Sequence, residues 1–123
     1  MAGTKLEDKR VFLVASPDAE RQTQFGFYIQ KHIAHATIFY TSDGHEATLK
    51  LENAPPDVLI TDYVLPRVTG IELVDHVLKN QKYNEVQCII ASRLPDTEHF
   101  VDDVVTGRVQ FYIDDKNEMR FTS

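Results

Sequence analysis

The chain has 123 residues, of which 42% are apolar, and this composition supports one hydrophobic core in a single domain. Its net charge is −6 and its longest basic run is Lys9-Arg10, which argues against nucleic acid or an anionic membrane as a direct ligand. A single cysteine, Cys88, excludes an internal disulfide and a zinc site built from cysteines.

Five short apolar segments alternate along the chain with segments of helical period. Strands are predicted at residues 10–16, 37–41, 57–62, 86–92 and 109–113, and helices at 16–34, 42–53, 69–80 and 96–107. The strands are nearly continuous apolar runs between amphipathic helices, which indicates a parallel sheet covered on both faces. The pattern therefore predicts an α/β fold with one domain over 1–123, a core over residues 10–113 and a short tail at 114–123.

The first helix has a well-defined predicted start. Ser16 is a good N-cap, Pro17 suits the first helical position, and Asp18 in the first turn favours the helix dipole. The apolar stripe that follows on one face of this helix is formed by Phe25, Tyr28, Ile29 and Ile33.

A carboxylate ends the third predicted strand. The stretch "VLITDYVLPRVTG", residues 58–70, is mostly apolar up to Asp62 and continues as a loop that contains Pro66 and Gly70. In a doubly wound sheet, ligands bind outside the carboxyl ends of the strands. Asp62 therefore lies at the edge of the predicted sheet where a functional site is expected.

Residues 43–74, "DGHEATLKLENAPPDVLITDYVLPRVTGIELV", resemble the receiver domains of response regulators. Asp62, Pro66 and Gly70 match the family's Asp-x-x-x-Pro-x-x-x-Gly pattern, and the resemblance extends over residues 10–113. It implies a doubly wound, flavodoxin-like (βα)5 fold with a five-stranded parallel sheet in the order 2-1-3-4-5. It also implies that Asp62 is the phosphoacceptor of the family.

Two other groups of the family's site are missing. Receivers place a pair of acids after strand one, which hold Mg²⁺, and a lysine at the end of strand five. Here the acid pair falls on Ala15 and Ser16, and the lysine position falls on Asp114. Asp62 and Asp18 are weak candidate ligands, so we expect no cofactor and weak Mg²⁺ binding or none.

Three further positions are candidates for contacts near Asp62. Ser92 matches the family's hydroxyl at the end of strand four, which contacts the phosphoryl group, or it bonds nearby backbone instead. Arg93 is either a charge partner for Asp62 in place of the missing lysine or a solvated surface residue, and no other nearby cation is evident. Phe111 matches the family's switch aromatic, and its other interpretation is a core residue.

These observations lead to two hypotheses for function. In the first, the chain is a signalling module without enzymatic activity that acts by protein–protein interaction, with an impaired phosphoacceptor site at Asp62. In the second, it is a working receiver that takes a phosphoryl group from a histidine kinase onto Asp62, with Ser92 and Arg93 in a rebuilt site. The expected partners are a sensor histidine kinase, a phosphotransfer protein or a downstream effector domain. With no secretory signal and no long apolar segment, a cytoplasmic protein without a membrane partner is expected.

The tail after the fifth predicted strand is short and polar. Residues 114–123, "DDKNEMRFTS", are too few for the fifth amphipathic helix of a receiver, which is expected to be missing or truncated. Strand five would then be an edge strand, with one face of the sheet uncovered. We expect a second copy of the chain to cover this face in a homodimer. The alternatives are a downstream domain or the tail folded back through Met119 and Phe121.

Overall fold

The computed structural model describes residues 11–91 with their side chains, together with the backbone of Ser92 and of residues 109–115 and 118–122. The predicted helix at 96–107 lies outside the described residues. The strands are β1 (Val11–Ala15), β2 (Thr37–Thr41), β3 (Val58–Asp62), β4 (Gln87–Ser92), β5 (Val109–Asp115) and β6 (Glu118–Thr122). The helices are α1 (Ala19–His32), α2 (Gly44–Asn53) and α3 (Gly70–Lys79), followed by a short 3₁₀ helix, Gln81–Tyr83.

The strands form one sheet in the order β2-β1-β3-β4-β5-β6. The first five are parallel, with Phe12 beside Val58 across β1 and β3 and Leu59 beside Cys88 across β3 and β4. This confirms the predicted doubly wound α/β fold and the strand order 2-1-3-4-5. Because parallel strands end at the same edge of a sheet, the residues that follow β1 and β3 lie side by side.

The sheet continues into a sixth strand, which agrees with the alternative of a tail folded back through Met119 and Phe121. β6 pairs with β5 in the antiparallel sense, with Tyr112 opposite Phe121 and Ile113 opposite Arg120. The prediction that strand five is the edge of the sheet is therefore wrong, since the tail folds back onto it. This hairpin satisfies backbone groups of β5 within the chain. The homodimer expected to cover a face of the sheet stays a prediction.

The start of α1 differs from the prediction. The N-cap is Asp18, whose Oδ1 accepts a hydrogen bond of 2.9 Å from the backbone N–H of Glu20. The prediction of Ser16 as the cap is wrong because the chain is still leaving the sheet there, and the N–H of Ser16 donates to the carbonyl of Thr41 at 2.9 Å. Pro17 accordingly precedes the helix rather than opening it.

Two apolar cores lie on the two faces of the sheet. Residues of α1 and of the sheet form one core, made of Phe12, Val14, Phe25, Ile29, Ile33, Val58, Ile60, Ile89 and Ala91. Residues of α2, α3 and the opposite sheet face form the other, which includes Leu13, Ala15, Ala47, Leu51, Leu59, Leu73, Val77, Cys88 and Ile90. The predicted stripe of the first helix is thus mostly buried. No helix within the described residues has the length and apolar character needed to cross a bilayer.

Candidate functional site

Asp62 lies at the carboxyl end of β3, beside the end of β1. Thr61 is the register partner of Ala15, so the next residues, Asp62 and Ser16, leave the sheet next to each other. Both are buried, and Asp62 is 7% exposed. A buried carboxylate loses most of its hydration and requires compensating partners, so its contacts define what the site can do.

The main partner of Asp62 is Arg21, in the first turn of α1. Two guanidinium nitrogens donate to Oδ1 of Asp62, Nε at 2.9 Å and Nη2 at 2.7 Å. Arg21 is only 5% exposed, and its guanidinium carbon lies 5.2 Å from the centroid of the Phe25 ring. An ion pair and an aromatic ring therefore hold a buried cation against the carboxylate.

The second carboxylate oxygen of Asp62 is held by Ser16. The Ser16 hydroxyl donates to Oδ2 of Asp62 and accepts from the backbone N–H of Asp18 at 3.2 Å. Because Asp18 is the N-cap of α1, this contact links the carboxylate to the start of the helix that carries Arg21. Both oxygens of Asp62 therefore have a donor from within the chain.

The loop after Asp62 contains a tight turn at Pro66. The carbonyl of Pro66 accepts from the N–H of Val68 at 2.8 Å and from the N–H of Gly44, at the start of α2, at 3.0 Å. Arg67, inside this turn, has a positive φ of 70°. A hydrogen bond between residues two apart around a positive φ indicates a γ-turn, which is strained for a residue with a side chain.

Gly70 closes the same loop. Its N–H donates to the carbonyl of Tyr63 at 3.1 Å, and a Cβ at this position would overlap the backbone oxygen of Asp62. Tyr63 in turn donates its N–H to the carbonyl of Ala91 at 2.9 Å. The absence of a side chain at Gly70 thus allows the loop to pass close to the backbone of Asp62.

The donor set around Asp62 does not fit Mg²⁺. This ion requires several oxygen ligands in near-octahedral geometry, whereas both oxygens of Asp62 already accept hydrogen bonds. Ala15 offers no side-chain oxygen, and the guanidinium of Arg21 repels a second cation. Asp18, the other candidate ligand, caps α1. In the part of the chain that the structure describes, no three or more His, Cys, Asp or Glu side chains are grouped to hold a metal ion.

The remaining predicted residues are located by their backbone alone, or not described. Ser92 ends β4, one residue beyond Ala91, the register partner of Asp62, so its backbone lies at the same sheet edge as the site. Phe111 lies in β5 beside Ile90. Arg93 lies outside the described residues.

Arg21 was not among the predicted site residues, and the prediction that no cation other than Arg93 is near Asp62 is wrong. A signal was present in the sequence. Arg21 precedes Phe25, and then Ile29, at intervals of four residues, so it continues the buried stripe of α1. A charged residue on an apolar stripe, near the carboxyl edge of a sheet, indicates a buried partner of opposite charge.

Known proteins match this chain in sequence. A family model described as the response regulator receiver domain matches residues 14–118. The sensor histidine kinase TmoS of Ectopseudomonas mendocina is 32% identical over 76 residues, which is 62% of this chain. The chain spans 8% of the length of that relative.

Solved structures match the fold. The N-terminal domain of a response regulator receiver protein from Methanoculleus marisnigri JR1 has a TM-score of 0.71 and 13% identity, over 84% of this chain and 82% of that chain. The receiver domain of the sensor histidine kinase PA1611 from Pseudomonas aeruginosa PAO1 was solved with a magnesium ion coordinated in its active-site cleft. It has a TM-score of 0.64 and 16% identity, over 74% of this chain and 75% of that chain. Identities this low show a shared fold alone.

Proposed function

The chain belongs to the family of response regulator receiver domains, and we propose that it is a member in which Asp62 is closed to phosphorylation. It acts by protein–protein interaction and carries out no enzymatic reaction. One observation carries this proposal: Arg21 and Ser16 together engage both carboxylate oxygens of a residue that is 7% exposed.

A closed carboxylate is a poor phosphoacceptor. Asp62 can attack a phosphoryl donor only if one of its oxygens becomes accessible to the donor, and hydrogen bonds to that oxygen lower its nucleophilicity. Moving Oδ1 away would break the buried ion pair with Arg21, and breaking a buried pair costs about 3–5 kcal/mol. Phosphoryl transfer also depends on cations that neutralise the transferred group. Here the acid pair that would hold Mg²⁺ is replaced by Ala15 and Ser16.

The second candidate function is a working phosphoacceptor in which Arg21 supplies the required positive charge. The observation that favours it is the position of the guanidinium, 2.7 Å from Oδ1 of Asp62, since a planar guanidinium binds phosphoryl oxygens well. In this hypothesis Arg21 is the charge partner of Asp62 that was first predicted to be Arg93. Ser92 remains the candidate for the hydroxyl that contacts the phosphoryl group. The donor would be a histidine kinase.

Intact-mass measurement after incubation with acetyl phosphate and Mg²⁺ distinguishes the two functions. We expect the chain to remain unmodified, with Asp62→Asn as the control for modification elsewhere. Stoichiometric phosphorylation within minutes, absent from Asp62→Asn, would contradict the closed site. If it occurs, Arg21→Ala and Arg21→Lys show whether the guanidinium takes part, since the working-receiver version requires Arg21→Ala to abolish the reaction.

We propose that the partners are a sensor histidine kinase, a phosphotransfer protein or a downstream effector domain, and that the chain works in the cytoplasm. The relative TmoS, named a sensor histidine kinase, supports a partner or a neighbouring domain of that kind. Affinity measurements with an isolated kinase domain, compared between the wild type and Asp62→Asn, test it. Binding that is unchanged by Asp62→Asn is the expected outcome for a closed site.

A further inference from the structure

β2 forms one edge of the sheet among the described residues. Within the described residues, β2 pairs with β1 alone and ends the sheet. The carbonyl of Thr41 accepts from Ser16, the residue after β1, so Thr41 turns its backbone groups toward β1. Successive residues of a strand turn these groups to opposite sides, so those of Phe39 also face β1, whereas those of Ile38 and Tyr40 face away.

This edge lacks the features that usually protect edge strands. Lysine, proline or a bulge commonly blocks such an edge, but Thr37–Thr41, "TIFYT", contains neither a charge nor a proline. Phe39 is 50% exposed, and Phe27, on the outer side of α1, is 74% exposed. The hydroxyl of Tyr40 lies close to Gly26 of α1, and Tyr40 lines a groove together with Phe27. Exposed aromatic side chains thus flank an open strand edge.

We propose that two copies of the chain pair through β2, antiparallel about a twofold axis at Phe39, so that one sheet runs through both copies. In this register Ile38 of one copy lies opposite Tyr40 of the other. These are the residues whose backbone groups face outward, and each such pair exchanges two main-chain hydrogen bonds. If the twofold axis passed through Ile38 or through Tyr40 instead, only one of these two residues would lie opposite a β2 residue of the other copy.

The composition of β2 favours a second copy over a different partner. The two Phe39 side chains meet across the axis and Thr37 lies opposite Thr41, so no like charges oppose each other although the chain carries a net charge of −6. His35 precedes β2 and Asp43 follows it, so in the antiparallel dimer His35 of one copy and Asp43 of the other lie at the same end of the paired strands. An imidazole N–H can donate a hydrogen bond and a carboxylate can accept one. A twofold dimer also closes this edge in both copies. The pairing does not depend on whether Asp62 is phosphorylated.

Light scattering after gel filtration of the full chain, over a range of concentrations, tests the dimer. We expect a mass twice that of the 14.1 kDa chain at the upper end of the range. Phe39→Lys places two like charges opposite each other and is expected to raise the dissociation constant by about tenfold or more. Val64→Lys adds the same charge at an exposed apolar residue after β3 and should leave the dimer unchanged. A monomer at every concentration, a dimer that Phe39→Lys does not weaken, or growth beyond a dimer would each overturn the proposal.

A disulfide tests the register independently. In the proposed pairing, the two Phe39 residues form a non-hydrogen-bonded antiparallel pair, with Cα atoms about 4.5 Å apart. This separation lies within the range of about 4.4–6.8 Å that a disulfide accepts. Under mild oxidation Phe39→Cys should cross-link into a dimer much faster than Val64→Cys, while the native Cys88 is buried and does not interfere. Equal rates for the two variants, or no cross-link at position 39, would rule out this register.

Discussion

Removal of the Arg21 guanidinium is expected to destabilise the fold far more than removal of an exposed ion pair. Arg21→Met keeps most of the side-chain volume but leaves Asp62 buried, with the Ser16 hydroxyl as its partner among the described side chains. Breaking a buried pair in this way costs about 3–5 kcal/mol of unfolding free energy. In a domain of this size, a loss of about 3 kcal/mol lowers the Tm by roughly 10 °C.

The magnitude follows from distance and burial. At an effective dielectric constant of about 20, unit charges at the 2.7 Å between Nη2 of Arg21 and Oδ1 of Asp62 attract by roughly 6 kcal/mol, before desolvation is subtracted. The chain contains a matched control, since Nζ of Lys79 lies 2.9 Å from Oδ2 of Asp75. Those side chains are 75% and 53% exposed, and such exposed pairs contribute about 0.2–1 kcal/mol.

Two double-mutant cycles, measured by urea denaturation, provide the assay. One combines Arg21→Met with Asp62→Asn, and the other combines Lys79→Met with Asp75→Asn. We expect a coupling energy of about 2–3 kcal/mol in the first cycle and below about 1 kcal/mol in the second. Equal coupling energies in the two cycles would refute the reasoning, because burial would then add nothing to the contact between Arg21 and Asp62.

Three further predictions concern the metal, the loop and the third helix. Calorimetric titration with Mg²⁺ should show no sub-millimolar binding, and a site of that affinity that disappears in Asp62→Asn would contradict this. Gly70→Ala forces a Cβ against the backbone oxygen of Asp62 and should lower the free energy of unfolding by about 1–3 kcal/mol in urea titrations; unchanged stability would contradict the close approach. Thr69→Ala removes a capping box with Glu72 and should cost about 1 kcal/mol, whereas Thr69→Ser should retain most of the stability; equal losses in the two variants would argue against the cap.

Local patterns in the sequence were sufficient to predict the α/β class and the first five strands, whereas the strand order followed from the family resemblance. The predicted strand at 37–41 coincides with β2, and the apolar run that ends in Asp62 is β3. Such predictions succeed because period and strand length depend on residues close together in the chain. The parallel arrangement follows from the alternation of strands and helices, and it places Asp62 at the functional edge of the sheet.

The partners of Asp62 were decided by the tertiary structure. Arg21 is 41 residues away along the chain, and its contact depends on α1 being capped by Asp18 rather than by Ser16. Each residue of a helix turns the side-chain direction by about 100°, so a shift of two residues in the start changes which side chain faces the sheet edge. Sequence pattern does not determine helix ends to that accuracy.

The formation of β6 also depends on contacts with residues that are not its neighbours in the sequence. Residues 118–122 mix charged and apolar side chains, and their strand conformation depends on the backbone hydrogen bonds that β5 offers. Pairing partners of this kind become available only when the sheet has formed. The sequence by itself therefore determined the elements and the position of the site, whereas long-range contacts decided that Asp62 is held by Arg21 and Ser16 and that β5 is not the edge of the sheet.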